Sequence, residues 1–216
     1  MRVIGPENLD AAAQAIEGGG LVIVPTRRWY MICADASNAQ ACDSIITGKR
    51  RPSGKPLAYV APSASPWEDV FTFSPEARRL AAAFWPGDLA LLLPWKSSED
   101  ATRYAAVGSP ALVTVAPGFL GDLASAVKGP LAATTANISG DAGPNDPGPA
   151  ITVDQVHTFL AASGLEPDVI VDGGVCPAAN HMTIVDCYTP QPRLVRTGLI
   201  HQRSISAALG TEIRTT

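Results

Sequence analysis

Short, unbroken apolar runs set between helix-like segments constrain this chain more than any other feature. "LVIVP" (21–25) and "PLAYVA" (56–61) leave almost no position for a solvent-facing side of a strand. Such runs suit strands covered on both faces, as when helices pack on either side of a sheet. Tyr30–Ala34, "WPGDLALLLPW", "ALVTVA" (111–116) and "GPLAATTA" (129–136) read as further strands, with three short ones around Val169, Ile184 and Val195. Between them, Leu9, Ala12, Ala13 and Ile16 recur at helical spacing, and "EGGG" closes that segment. "SNAQACDSIIT" predicts a helix, as do the segments near 118–127 and 152–163. "SPEARRLAAAFW" predicts another, with Ser74 as N-cap and Pro75 at its first position. With no internal repeat and no long linker, the expectation is one α/β domain over 1–216. It carries a twisted mixed sheet with flanking helices, and 201–216 forms a terminal helix or tail.

Charge narrows the function classes. Lys plus Arg total 16 against 20 Asp plus Glu, a net charge of −4. That excludes a surface built wholly to grip nucleic acid but leaves room for a local basic groove. The 19 Gly and 19 Pro suggest a loop-rich body. Cys33, Cys42, Cys176 and Cys187 form no C-x-x-C pair, which reads as small buried residues in a reducing compartment. His157, His181 and His201 lack metal-site spacing. The start "MRVIGPENLD" has no apolar signal core, and no run approaches membrane-spanning length, so a cytoplasmic protein without membrane contact is expected.

Three stretches could carry chemistry. In "GKRRPSGKPL" (48–57), Lys49, Arg50, Arg51 and Lys55 crowd together without an acid. They could neutralise a helix C-terminus and otherwise sit in water. Alternatively, Arg51-Pro52 and Lys55-Pro56 extend the loop and hold its charges at the sheet edge, where α/β folds place ligands. "ATTANISG" (133–140) gathers Thr134, Thr135, Asn137, Ser139 and Gly140, donors that suit phosphate oxygens. It is neither a Walker A nor a G-x-G-x-x-G sequence, and on pattern alone a capped turn explains it. "RLVRTGLI" (193–200) is the third.

Taken in order, "KRRPSGKPL", "FWPGDLALLL", "GPLAATTANISG" and "TIVD…RLVRTGLI" resemble the YrdC/Sua5 family of threonylcarbamoyl-adenylate synthases, from about Leu9 to Ile200. The family patterns are K-x-R with K-P-L, W-P-G-x-L-T, S-A-N-x-S-G, S-T-V-x-D and L-R-x-G. The resemblance implies a twisted sheet around a large basic cavity, without the added C-terminal domain of longer members. It also implies an enzyme that joins an amino acid, usually L-threonine, with bicarbonate and Mg-ATP. The product is an N-carbamoyl-adenylate with release of pyrophosphate; partner proteins then pass the carbamoyl group to tRNA. By the same resemblance Lys49 and Arg51 are catalytic and hold the triphosphate. Thr135 (serine in the family), Asn137, Ser139, Thr183 and Arg196 also contact nucleotide. Mg2+ arrives on ATP, with no protein metal site. Thr26, Tyr30 and Lys55 fall at substrate positions, Arg50 points to solvent, and Trp85, Pro86 and Leu89 pack the core.

The departures lie in one place. Where the family has P-T-(D/E)-T-V-Y-G-L, this chain reads "PTRRWYMI", with Arg27 for an acid, Arg28 for threonine, Trp29 for valine and Met31 for glycine. "VTVAP" puts Thr114 at an arginine position, and "MTIVD" puts Met182 at a serine position. Arg27 and Arg28 could clamp an extra carboxylate or phosphate on a different acceptor amine. They could also accompany a rearrangement around the same ATP, or lie on an outer loop and touch nothing. Tyr30 could bond substrate or be an ordinary half-buried strand tyrosine; Cys33, facing the other way, belongs to the core. Other readings are a paralogue in specialised metabolism using carbamoyl phosphate, and a nucleotide or double-stranded RNA binder without turnover. The net charge of −4 leans against RNA.

Overall fold

A computed structural model describes residues 1–52, 54–62, 67–140 and 148–215. In chain order it contains β1 (Arg2–Ile4), α1 (Leu9–Glu17), β2 (Val22–Val24), β3 (Met31–Asp35), α2 (Ala39–Gly48), β4 (Ala58–Val60), α3 (Trp67–Val70) and α4 (Pro75–Phe84). Then come β5 (Leu89–Leu93), α5 (Ser98–Arg103), β6 (Ala111–Thr114), α6 (Phe119–Ala126), β7 (Leu131–Thr135), α7 (Val153–Ser163) and β8 (Val169–Val171). β9 (Thr183–Asp186), β10 (Arg193–Arg196), α8 (Gln202–Leu209) and β11 (Arg214–Thr215) follow, and a short 3-10 helix at Ala105–Val107 precedes β6. The strands form one mixed sheet in the order β1-β8-β2-β3-β7-β4-β6-β5-β9-β10-β11.

Local chemistry sets the helix boundaries. The Ser74 hydroxyl accepts from the Ala77 amide at 3.1 Å, and Pro75 opens α4, where its missing N–H costs nothing. Thr152 caps α7 by accepting from the Gln155 amide, and Gly164 ends that helix at φ 69°.

The sheet has two buried faces, as the unbroken apolar runs predict. Ile23, Ile32, Tyr59, Leu91, Val113 and Val185 point to the larger core, which receives Ile45 of α2, Leu80 of α4, Phe159 of α7 and Ile205 of α8. Val22, Val24, Met31, Cys33 and Val60 point the other way, under Ala12 and Ile16 of α1 and Leu120 and Leu123 of α6. All four cysteines are free and buried, and Cys33 lies on this second face, opposite Tyr30. Among the described residues no helix is long and apolar enough to cross a membrane.

Some elements have no apolar signature. β1 is largely exposed and exists through its parallel pairing with β8, while β11 rides on β10. One expected core residue moves: Trp85 and Leu89 are buried, but Pro86 is exposed, because α4 ends at Phe84 and the chain turns outward before β5.

Candidate functional site

The end of α2 sorts its cations by direction. The Arg50 amide donates to the Thr47 carbonyl and the Arg51 amide to the Ile46 carbonyl, each at 2.9 Å, which is the paired closure of a Schellman motif. Arg50 occupies the left-handed position at φ 52°, where glycine is usual. One residue in that conformation turns the chain, leaving Arg50 exposed while Lys49 is fully buried and Arg51 half-buried.

Lys49 ends under the last residues of β7. Its Nζ donates to the Thr135 carbonyl at 2.5 Å, to the Asn137 carbonyl, and to Asn137 Oδ1 at 3.2 Å. Each ammonium hydrogen thus has an acceptor. Thr135 Oγ1 donates to the same Asn137 Oδ1 at 2.6 Å, and the Ser139 amide returns to the Lys49 carbonyl at 2.7 Å. Arg51 spreads its guanidinium over the Lys55 carbonyl (2.8 Å), the Pro56 carbonyl (2.6 Å) and Thr134 Oγ1 (3.2 Å). Burial, then the charges of Arg51 and Lys55, pull the Lys49 ammonium down to about 7. The structure therefore brings Lys49, Arg51, Thr135, Asn137 and Ser139 together, whereas the Lys55 side chain is exposed and its carbonyl does the joining.

A second group lines a narrow cleft on the α1–α6 side of the sheet. Met31 pairs with Thr135, Val60 with Thr114, Ala90 with both Thr114 and Ile184, and Ile184 with Arg196. Directly paired residues present their side chains on the same face, so one surface links Thr135 to Arg196. The cleft holds 20 Å³ of free space among Thr26, Arg28, Met31, Val60, Asp88, Thr114 and Met182.

Arg28 is part of its wall. The residue is 9% exposed, and its Nη1 pairs with Asp88 Oδ1. Arg27, with a side chain 61% exposed, reaches the other oxygen of the same carboxylate at 3.1 Å. Desolvation lowers the Arg28 guanidinium, Asp88 opposes that shift, and Arg27 adds to it. The two arginines are therefore held by one acid, neither idle on an outer loop nor converging as a free clamp. Asp88 escaped the sequence reading because it lies 60 residues away. Its signal was the charge itself, since an arginine entering a buried strand end requires a counter-ion.

Other expected positions are engaged elsewhere. Thr26 Oγ1 donates to the Trp29 carbonyl at 2.7 Å and accepts from the Arg28 and Trp29 amides, fixing the turn that aims Arg28. Tyr30 is fully buried on the opposite face, and so lies away from the cleft. Its hydroxyl donates to the Gly174 carbonyl at 2.8 Å and accepts from the Gly173 amide. The Thr183 hydroxyl donates to the Ile200 carbonyl at 2.7 Å and accepts from the Gly198 and Ile200 amides. Thr183 thus pins the 198–200 turn, and its hydroxyl has no hydrogen left to offer. Arg196 donates from Nε to the Met182 carbonyl at 3.1 Å; desolvation, then Arg28, lowers its guanidinium. His181 lies against Trp29 with ring centroids 4.9 Å apart.

The family model described as Sua5/YciO/YrdC, "Telomere recombination", matches residues 14–198. The chain belongs to the Sua5/YciO/YrdC family. A Bacillus subtilis (strain 168) relative named "Threonylcarbamoyl-AMP synthase" is 31% identical over 203 residues, covering 92% of this chain and 56% of the relative. An Aliivibrio fischeri relative of the same name is 27% identical over 186 residues, covering 85% of this chain and 96% of the relative. Among solved structures, "P. abyssi Sua5 complexed with L-threonine" superposes with a TM-score of 0.84 at 28% identity, covering 100% of this chain and 63% of that one. This Sua5/YciO/YrdC chain thus spans little more than half of its Bacillus relative and almost all of its Aliivibrio relative.

Proposed function

We propose that the chain forms an N-carbamoyl-adenylate from an amine, bicarbonate and Mg-ATP, releasing pyrophosphate. The observation that carries this reading is the cluster of Lys49, Arg51, Thr135 and Asn137 at the end of β7. It lies in a family whose curated relatives are named threonylcarbamoyl-AMP synthase.

In this reading the amine and bicarbonate give a carbamate, and one carbamate oxygen attacks the α-phosphorus of ATP. Two anions approach each other, so fixed cations must take up the developing charge. Lys49 and Arg51 supply it by exchanging their present carbonyl partners for phosphate oxygens. Thr135 and Asn137 orient Lys49, Ser139 fixes its backbone, and Arg196 lies on the sheet face that carries Thr135. Thr183 acts by holding the turn beside Arg196. Mg2+ enters with the nucleotide and shares its phosphate charge. The mixed anhydride hydrolyses readily, so the apolar walls of Met31, Val60 and Met182 favour its survival. Where the amine is threonine, partner proteins would pass the carbamoyl group on to tRNA.

Product analysis by mass spectrometry tests the reading. Purified protein with Mg-ATP, bicarbonate and a panel of amino acids should give a carbamoyl-AMP adduct and stoichiometric pyrophosphate. Folded Lys49→Ala protein should lose both; undiminished turnover in that variant would remove Lys49 from the site. The Arg28–Asp88 pair in the cleft favours a second reading, in which the amine is not confined to threonine.

A further inference from the structure

Arg28 has a buried nitrogen with nothing to bond among the described residues. Its Nε finds no partner there, while Nη1 of the same guanidinium is taken by Asp88. A buried N–H on a charged group is costly to leave unsatisfied, and native chains seldom keep one without a use. The side chain carrying it is nine-tenths buried and lines the cleft.

The rest of the lining says what would complete that bond. Met31, Val60, Ala116, Pro117, Leu120 and Met182 offer only apolar surface or backbone. The hydroxyl protons of Thr26 and Thr114 are committed to the Trp29 and Leu89 carbonyls at 2.7 and 2.9 Å. Arg27 also lines the cleft, but its side chain is mostly in water, so Arg28 Nε is the buried unspent donor there, and it belongs to a cation whose planar fork matches a carboxylate.

We propose that Arg28 determines substrate specificity, taking the carboxylate of the amine substrate on its Nε edge. Selection then rests on that carboxylate and an apolar body, not on a side-chain hydroxyl. The free space of 20 Å³ suits about one small polar group. The substrate carboxylate takes the Nε edge while Nη1 keeps Asp88, so the buried arginine stays paired throughout. Arg27, mostly in water, shares the Asp88 carboxylate from its other oxygen. This inference rests on the amine-activating function proposed above and deepens it by naming the substrate class.

Calorimetric binding without ATP tests the inference separately from turnover, because pyrophosphate release reports the function and binding reports the cleft. The ligands are L-threonine, its isostere L-valine, L-threoninamide and inorganic pyrophosphate. L-threonine and L-valine should bind within about threefold of each other, and threoninamide at least tenfold more weakly. Arg28→Lys, which keeps the charge but not the fork, should erase the difference between acid and amide. Asp88→Asn should shift affinity the other way, tightening both acids because a negative charge beside the Nε edge is gone. Amide binding equal to acid binding would overturn the proposal, as would a strong preference for threonine over valine. It would equally fail if no amino acid bound, or if pyrophosphate displaced the amino acids in wild type but not in Arg28→Lys, which would assign the edge to the nucleotide.

Discussion

Lys49 grips Asn137 twice, through the backbone carbonyl and through Oδ1, and Thr135 bonds the same Oδ1 from the other side. The sequence places Lys49 and Asn137 on segments 88 residues apart, so this contact locks the basic loop to the end of β7. It also buries an ammonium in surroundings that disfavour its charge.

The first prediction concerns protons. Folding lowers Lys49 from 10.5 to about 7, so between those values the unfolded chain holds a proton that the folded chain does not. Stability therefore rises with pH across that window from this group. Lys49→Met should flatten the rise, as measured by urea denaturation at pH 7, 8 and 9. Binding of a triphosphate favours the charged ammonium, so ATP binding at pH 8 should take up a proton. Calorimetry in buffers of different ionisation enthalpy would reveal it, and an uptake that persists in Lys49→Met would assign the proton elsewhere.

Much of this arrangement was legible beforehand, and the reasons differ by element. The unbroken runs of β2 and β5 marked strands buried on both faces because nothing polar interrupts them. The Ser74-Pro75 pair marked the start of α4 because cap chemistry is local. The cleft was harder to read. Arg27 and Arg28 stood out as charges, yet their partner Asp88 shares no local pattern with them and meets them only through the fold. Tyr30 and Thr183 kept family positions, but residue identity does not say where a hydroxyl donates, and here both donate to backbone. β1 and β11 were invisible since pairing with neighbours, not apolar content, makes them strands.

Asp88 should matter far more to stability than Arg27, although both belong to one ion pair network. Asp88→Ala strands the buried Arg28 guanidinium and should cost about 3–5 kcal/mol. Arg27→Ala removes a largely solvated partner and should cost less than about 1 kcal/mol. Denaturant titration of the two variants checks the contrast. Equal small losses would mean that Arg28 swings to water once released.

Arg50 offers a substitution that should help the fold and spare the chemistry. Its φ of 52° closes the Schellman motif at a position where a side chain is strained and glycine is not. The side chain is exposed, and its weak link to the Ala162 carbonyl at 3.4 Å is the only bond it makes among the described residues. Arg50→Gly relieves the strain, and even after the added freedom of the unfolded chain it should stabilise by about 0.5–1 kcal/mol. Lys49 and Arg51 keep their backbone bonds to α2, so pyrophosphate release should stay within about twofold of the parent. Chemical denaturation and the pyrophosphate assay on one preparation decide the matter. A loss of turnover with gained stability would show that Arg50 contributes its charge to the nucleotide site.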